Sequence, residues 1–231
     1  MAWNDVFRSS QVSGTVLATA FLKLHEAKDS ETCIEGLPAA IRNDHGQPWM
    51  YDVLALQMSL AKRPEKEINR VLLSRVDFTD GNEAQMLVTA SMLSQFGDYN
   101  QALSICREAT KRNPRQIAAW TMARSIADRS GNPDAVAWSR LGTLKHAWDF
   151  TFEEDHAEAR TVLNELLAGL LESGDKDGAA RLEKDIYDAV QRDLTIQISW
   201  AGNADLDLVV EEPRGQTCSY KSSITANGGI L

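Results

Sequence analysis

The sequence predicts a mainly α-helical protein, an α-α superhelix with a short β segment near its C-terminal end. Three observations predict this fold. Apolar residues recur at helical spacing through most of the 231 residues, and glycine or proline interrupts these stripes at the length of a helical hairpin. Near residue 193 the spacing changes to strict alternation. We therefore expect a helical repeat domain at 1–192 and the start of a β-sandwich-like domain at 193–231.

The composition is that of an ordinary globular protein, with 43% apolar and 25% charged residues. A net charge of -9 without a basic stripe makes nucleic acid a poor partner. No apolar run is long enough to span a bilayer, so no transmembrane segment is expected, and the compartment stays open. The cysteines Cys33, Cys106 and Cys218 lack metal-ligand spacing, and the first two are expected to be small core residues.

The clearest predicted hairpin covers 83–116. Apolar stripes mark both helices, a glycine breaks the chain between them, and a proline closes the unit. Two helices approach closely only where small residues face each other, so Ala90 and Ala102 are expected at their crossing. The residues that carry the pattern are Ala90, Gly97, Tyr99, Ala102, Ala109 and Pro114.

These six residues stand at the offsets where tetratricopeptide repeats carry small, turn, aromatic, small, small and breaker residues. The unit therefore resembles a tetratricopeptide repeat. The following unit matches less well, with Trp120 and Gly131 at the expected offsets and Arg124 where a small residue is expected. The resemblance implies a stacked helical array, because such hairpins bury their apolar faces only against neighbours.

Apolar stripes predict three further hairpins. They cover 14–41, 49–76 and 162–190, with breaks at 28–30, 63–64 and 174–175. The stretch 145–158 is expected to be a longer connection that carries Trp148, Phe150 and Phe152.

From residue 193 onwards, apolar and polar residues alternate as in half-buried strands. We expect strands at 194–200, at 206–210 and around Cys218 and Tyr220. Three strands are too few for an independent domain, so we expect the first part of a larger sandwich. The stretch 196–229 resembles a bacterial β-domain family of unknown function found at the C-terminus of YfaP-like proteins. The matching residues are Trp200, 205–208, Pro213, Gly215, Cys218, Tyr220 and 228–229.

Two groups of polar residues are candidate chemical sites. Asp205 and Asp207, with Asn203, could offer oxygen ligands to calcium, but solvent-facing strand residues explain them more simply. His156 stands among four carboxylates, which could bind a metal or transfer protons, but a charged helix start explains that composition better. We therefore predict no catalytic residue, no cofactor and no metal site.

A repeat array without catalytic motifs indicates a scaffold that binds a protein, a peptide or a flanking domain. Chaperone-binding tetratricopeptide domains clamp a carboxylate with charged and amide side chains, and the corresponding positions here lack them. A chaperone tail is therefore not expected, and a helix or extended apolar segment is favoured. The positions are Ala84, Leu87, Val88, Ser91, Ala118, Thr121, Met122 and Ser125. The alternatives are a structural spacer in a larger bacterial cell-envelope or secreted protein, and an enzyme that uses His156.

Overall fold

The computed structural model describes residues 3–78, 82–146, 152–191, 194, 196, 198–203, 205–223, 225 and 229. These residues form eleven α-helices and one two-stranded antiparallel sheet, which confirms a mainly α protein with a short C-terminal β segment. No helix in these ranges is long and apolar enough to cross a membrane. The chain divides into two compact units, Met1–Arg112 and Asn113–Leu231. The predicted division into 1–192 and 193–231 stays a prediction.

The first unit contains seven helices that pack mainly on their neighbours in the chain. They are α1 (Trp3–Ser9), α2 (Gly14–Glu26), α3 (Ser30–Ala40), α4 (Pro48–Leu60), α5 (Glu65–Phe78), α6 (Glu83–Gln95) and α7 (Tyr99–Arg112). The predicted hairpins at 14–41, 49–76 and 83–116 correspond to the pairs α2–α3, α4–α5 and α6–α7. Helix α1 was not predicted, nor was the kinked segment Ile41–His45, in which Asn43 and Asp44 leave helical geometry.

Local capping explains where the helices of the first unit begin. The side chains of Ser13, Asp29 and Asn82 accept hydrogen bonds from the first free N–H groups of α2, α3 and α6. The turns between paired helices need left-handed backbone. Gly97 supplies it at φ +87°, whereas Lys28 and Lys62 adopt it at φ +58° and +54°.

The second unit begins with four helices, α8 (Ile117–Ser130), α9 (Pro133–Leu144), α10 (Phe152–Glu172) and α11 (Lys176–Val190). Gly131 ends α8 at φ +63°, and Asn132 caps α9. Helices α9, α10 and α11 share one apolar core, which includes Leu144, Ala159, Leu163, Leu182 and Ala189.

The connection predicted at 145–158 is shorter than expected, because α10 begins at Phe152. Three acidic residues fill the first turn of α10, where the positive end of the helix dipole favours them, and they extend the helix beyond its apolar stripe. Trp148 and Phe150 lie outside the described residues. The apolar face of α10 ends before Leu171, which is exposed.

The sheet pairs β1 (Val209–Glu211) with β2 (Thr217–Ser219), and Val210 stands opposite Cys218. A turn at 213–215 joins the two strands, with Gly215 at φ +78°. The first predicted strand is wrong for its described residues, which lie outside any strand. Leu194, Ile196, Ile198 and Trp200 are 44–74% exposed. Alternation produces a half-buried strand only where a neighbouring strand and a covering layer exist, and the described residues provide neither there. Tyr220 also lies beyond β2 and is exposed.

Candidate functional site

Three of the repeat-packing residues of 83–116 are buried inside the α6–α7 hairpin. Ala90, Ala102 and Ala109 have no solvent exposure, so the two helices pack closely along them. Tyr99 is half-buried as the first residue of α7, two positions after the turn at Gly97. The three alanines therefore build the hairpin, and they are not accessible to a partner.

Trp120 and its surroundings form the packing centre of the α8–α9 hairpin. Its ring lies 5.2 Å from that of Trp138, centroid to centroid. Its Nε1–H donates a 2.8 Å hydrogen bond to the carbonyl oxygen of Pro114, and Pro114 itself is exposed. Gly142 leaves the space that the ring fills, since a Cβ there would lie 2.0 Å from a Trp120 ring atom. Trp120 therefore fixes the start of α8 as well as its contact with α9.

The positions corresponding to a carboxylate clamp are small or apolar side chains on α6 and α8. In α6, Ala84 and Val88 are exposed, whereas Leu87 is buried in the hairpin. In α8, Ala118, Thr121 and Ser125 are exposed. None of these side chains can form the ion pairs with a carboxylate that a clamp requires.

The polar cluster around His156 holds the helices of the second unit together. His156 is buried, and its Nε2 lies 2.7 Å from the carbonyl oxygen of His146. Asp155 pairs with Arg124 of α8 at 3.0 Å, and Glu158 lies 3.4 Å from the buried Arg140 of α9. Arg140 also binds Asp128 of α8 at 2.9 Å. The acidic start of α10 is therefore engaged in contacts between helices.

Asp205 and Asp207 are exposed and precede β1, so they lie on the segment leading into the hairpin. Within the described ranges, no three His, Cys, Asp or Glu side chains come close enough together to hold a metal ion. The three cysteines are free thiols and buried. Burial raises the pKa of Cys106 to about 12 and also raises the pKa values of Cys33 and Cys218, so their reactive thiolate forms are scarce.

An apolar groove of about 290 Å³ lies between α2 and α4 in the first unit. Each helix contributes one stripe at helical spacing, and the two stripes face each other across the groove. The α2 stripe is Ala18, Phe21, Leu22 and His25, and the α4 stripe is Trp49, Val53, Leu56 and Gln57. Only the last residue of each stripe is polar.

The two ends of the groove are closed by polar contacts that also show the direction of the helices. At one end the Gln47 side chain lies against Gly14, where a Cβ would be 2.0 Å from its Nε2. At the other end Gln57 Nε2 lies 2.8 Å from His25 Nδ1. The N-terminal ends of α2 and α4 therefore meet, as do their C-terminal ends, and the helices run in the same direction. The twelve residues from Gly14 to His25 span about 16 Å.

The floor of the groove is rigid because helices behind it support its buried residues. Phe21 is buried, and its ring lies 6.5 Å from that of Trp3 in α1. Gly36 of α3 lets both rings approach, since a Cβ there would lie 3.0 Å from Phe21. Gln57 is fully buried, and its Oε1 accepts a hydrogen bond from Ser30 of α3 at 2.9 Å.

The rim of the groove consists of exposed leucines. Leu22 is 56% exposed and Leu56 is 42% exposed, one from each helix. Apolar side chains that gather around a preformed concave surface mark binding sites more often than scattered ones do. The arrangement can bury an apolar segment of a partner, and it offers hydrogen bonding at its His25 end.

Sequence reasoning did not find this groove, because it sought the binding surface on α6 and α8. One signal was present. Helix α4 carries apolar residues around most of its circumference, which is more than a single packing face needs. Comparisons with protein-family models and with curated proteins found no match to this chain.

Proposed function

We propose that this chain is a non-catalytic protein-interaction scaffold that binds an apolar segment of a partner protein in the α2–α4 groove. The observation that carries the proposal is the pair of exposed leucines, Leu22 and Leu56, above a preformed apolar floor. A rigid groove costs little conformational entropy to occupy, because its residues are ordered before the partner arrives.

We further propose that the helical hairpins are repeats of the tetratricopeptide type and that the β segment belongs to a YfaP-type domain. The repeat assignment is supported by the buried alanines of α6–α7 and by Gly97 and Gly131 in the turns. On this assignment α2 and α4 are the first helices of successive repeats. The groove between them would then be equivalent to the surface on which such repeats hold peptides.

The binding free energy that the groove can supply depends on the apolar surface that a partner would cover. Burying an exposed leucine side chain completely contributes about 2 kcal/mol, and about half of each rim leucine is still exposed. Covering Leu22 and Leu56 would therefore contribute about 2 kcal/mol together. The half-buried Trp49 and Val53 would add to this. Aromatic and aliphatic anchors in the centre of an interface carry most of its binding energy.

Comparative affinity capture tests this function. The wild-type chain and the double variant Leu22→Asp/Leu56→Asp would be used as baits, and the recovered proteins would be quantified by mass spectrometry. Leu171→Asp is the matched control, because Leu171 is an equally exposed leucine outside the groove. We expect at least one protein to be recovered by the wild type and by the control but lost about 30-fold or more from the double variant.

The opposite result would be a set of recovered proteins that is the same for all three baits. That result would show that the groove does not bind a partner protein. Circular dichroism of the three baits must show equal helicity, so that loss of capture is not loss of folding.

A further inference from the structure

Helix α1 is short, and few of its side chains are covered by the rest of the first unit. Of its seven residues only Phe7 is buried, and the residues 10–13 that join it to α2 are largely exposed. A helix of seven residues is not stable alone in water, because nucleation costs more than so few hydrogen bonds contribute. Segments with few buried apolar contacts also open at a lower free energy than the core beside them. Helix α1 is therefore helical only while it is docked.

The surface beneath α1 belongs to α3 and to the kinked segment Ile41–His45. The rings of Trp3 and Phe7 stack on each other, with centroids 5.8 Å apart. Trp3 also packs on Phe21, and Gly36 of α3 leaves room for it, since a Cβ there would lie 3.4 Å from the Trp3 ring. This apolar surface favours redocking, because it is exposed to water whenever α1 leaves.

Two polar contacts attach α1 to the kinked segment. The Nε2 of the buried His45 lies 3.0 Å from the carbonyl oxygen of Phe7. That carbonyl is in the last turn of α1, where carbonyl groups have no acceptor role inside the helix. The Nδ2 of Asn43 donates a 3.1 Å hydrogen bond to Oδ1 of Asn4. The docking of α1 and the conformation of the kinked segment therefore depend on each other.

The backbone of the kinked segment is unfavourable for its sequence. Asp44 adopts left-handed backbone at φ +65°, and Asn43 before it is also outside helical geometry. Left-handed backbone costs free energy in a residue with a side chain, and it persists only where the surroundings hold it. The residues on either side of Asp44 are Asn43 and His45, which both contact α1. Release of α1 therefore removes contacts that hold the strained residue.

We propose that α1 and the kinked segment form a two-state device, in which α1 leaves α3 as one unit and redocks while α2–α7 stay folded, and the kink relaxes on release. This inference goes beyond the proposed function and does not require a partner in the groove. Release takes the Trp3 ring away from Phe21, so the device controls how firmly the floor of the groove is supported.

Fluorine NMR of the full chain labelled with 5-fluorotryptophan tests the release of α1. The chain has six tryptophans, and single Trp→Phe variants assign their signals. Minor states populated at about 1–10% are detectable by saturation transfer. We expect the Trp3 signal to exchange with a second position, equal to its position in concentrated urea. Trp49 of α4 is the internal control from the same unit, and its signal should keep one position.

Substitutions in α1 should change the released fraction according to their contacts. Asn4→Ala removes the hydrogen bond to Asn43 and should raise that fraction about fivefold. Arg8→Ala is the matched control on the exposed side of the same helix, and it should have no such effect. Phe7→Ala removes the buried ring and should make the released state the major one, with the Trp49 signal unchanged.

Asp44→Gly tests the coupling to the kink. Glycine adopts left-handed backbone without the cost that a side chain adds, so the docked state gains stability relative to the released state. Introduced into the Asn4→Ala chain, Asp44→Gly should lower the released fraction about threefold.

Three results would overturn the proposal. A single docked position for Trp3 in both the wild type and Phe7→Ala would show that α1 does not leave. Joint exchange of the Trp3 and Trp49 signals would show that the unit opens as a whole. An unchanged released fraction after Asp44→Gly would show that the kink is not part of the device.

Discussion

At the scale of single residues, Gly142 and Trp120 show how closely this chain is packed. Three ring atoms of Trp120 lie 2.0–2.4 Å from the position that a Cβ of residue 142 would take. The Trp120 ring cannot move by that amount without disturbing its contact with Trp138. Residue 142 must therefore be glycine, because the Trp120 ring occupies the space that a side chain would need.

Gly142→Ala is expected to lower the free energy of unfolding by about 2 kcal/mol, because overpacking outweighs the helix propensity that alanine adds. Gly169→Ala in α10 is the matched control. It meets open space, and it should raise the free energy of unfolding by about 0.5–1 kcal/mol. Urea denaturation measures both, and equal effects of the two substitutions would contradict the packing.

Cys106 shows how burial removes reactivity. Its pKa of about 12 leaves roughly one thiolate in ten thousand at pH 8, compared with about one in ten for an exposed thiol. The folded chain is expected to resist iodoacetamide at Cys106, and the chain in concentrated urea should react fully. Peptide mapping by mass spectrometry gives the extent at each cysteine. Rapid labelling of Cys106 in the folded chain would show that the α6–α7 hairpin opens.

At the scale of helices, Arg75 connects α4, α5 and α6. It is only 4% exposed, and its Nε lies 2.8 Å from Asp52 of α4. It also donates to the carbonyl oxygen and the side-chain oxygen of Gln85, and to Thr89, both in α6. Burial raises the pKa of Asp52, and the nearby Arg75 guanidinium opposes that shift. The half-buried Asp52 carboxylate therefore depends on Arg75 as its partner.

Arg75→Met is expected to lower the free energy of unfolding by about 3 kcal/mol, because Asp52 and the Gln85 groups lose a buried partner. Arg112→Met breaks an exposed pair with Glu108 on a helix surface and should cost about 0.5 kcal/mol or less. Chemical denaturation gives the two values. A cost for Arg75→Met as small as that for Arg112→Met would mean that the network adds little to stability.

Helix boundaries could be predicted because their causes are local. The breaks at Gly97 and Gly131 depend on residues within one or two turns, as does the capping of α3 by Asp29. The groove could not be predicted in the same way, because it depends on how α3, which packs on both α2 and α4, places those two helices relative to each other. The strand at 194–200 failed for a related reason. Its alternation is local, but a strand forms only with a partner from elsewhere in the chain.

At the scale of the whole molecule, the two compact units carry different features. The groove and its supporting helices lie entirely within Met1–Arg112. The unit Asn113–Leu231 contains the Trp120 packing centre, the ion pairs of Arg140 and the β hairpin. The proposed binding activity therefore belongs to the first unit.

Site-specific photo-crosslinking in living cells tests the central claim most directly, because it reports contact with the groove itself. A photoreactive phenylalanine analogue would replace Leu22 in one full-length variant and Leu171 in another. The account predicts that position 22 crosslinks a defined partner protein, through an apolar segment, and that position 171 does not. Identical crosslinking patterns at the two positions, or none at position 22, would contradict the assignment of the groove as a binding site.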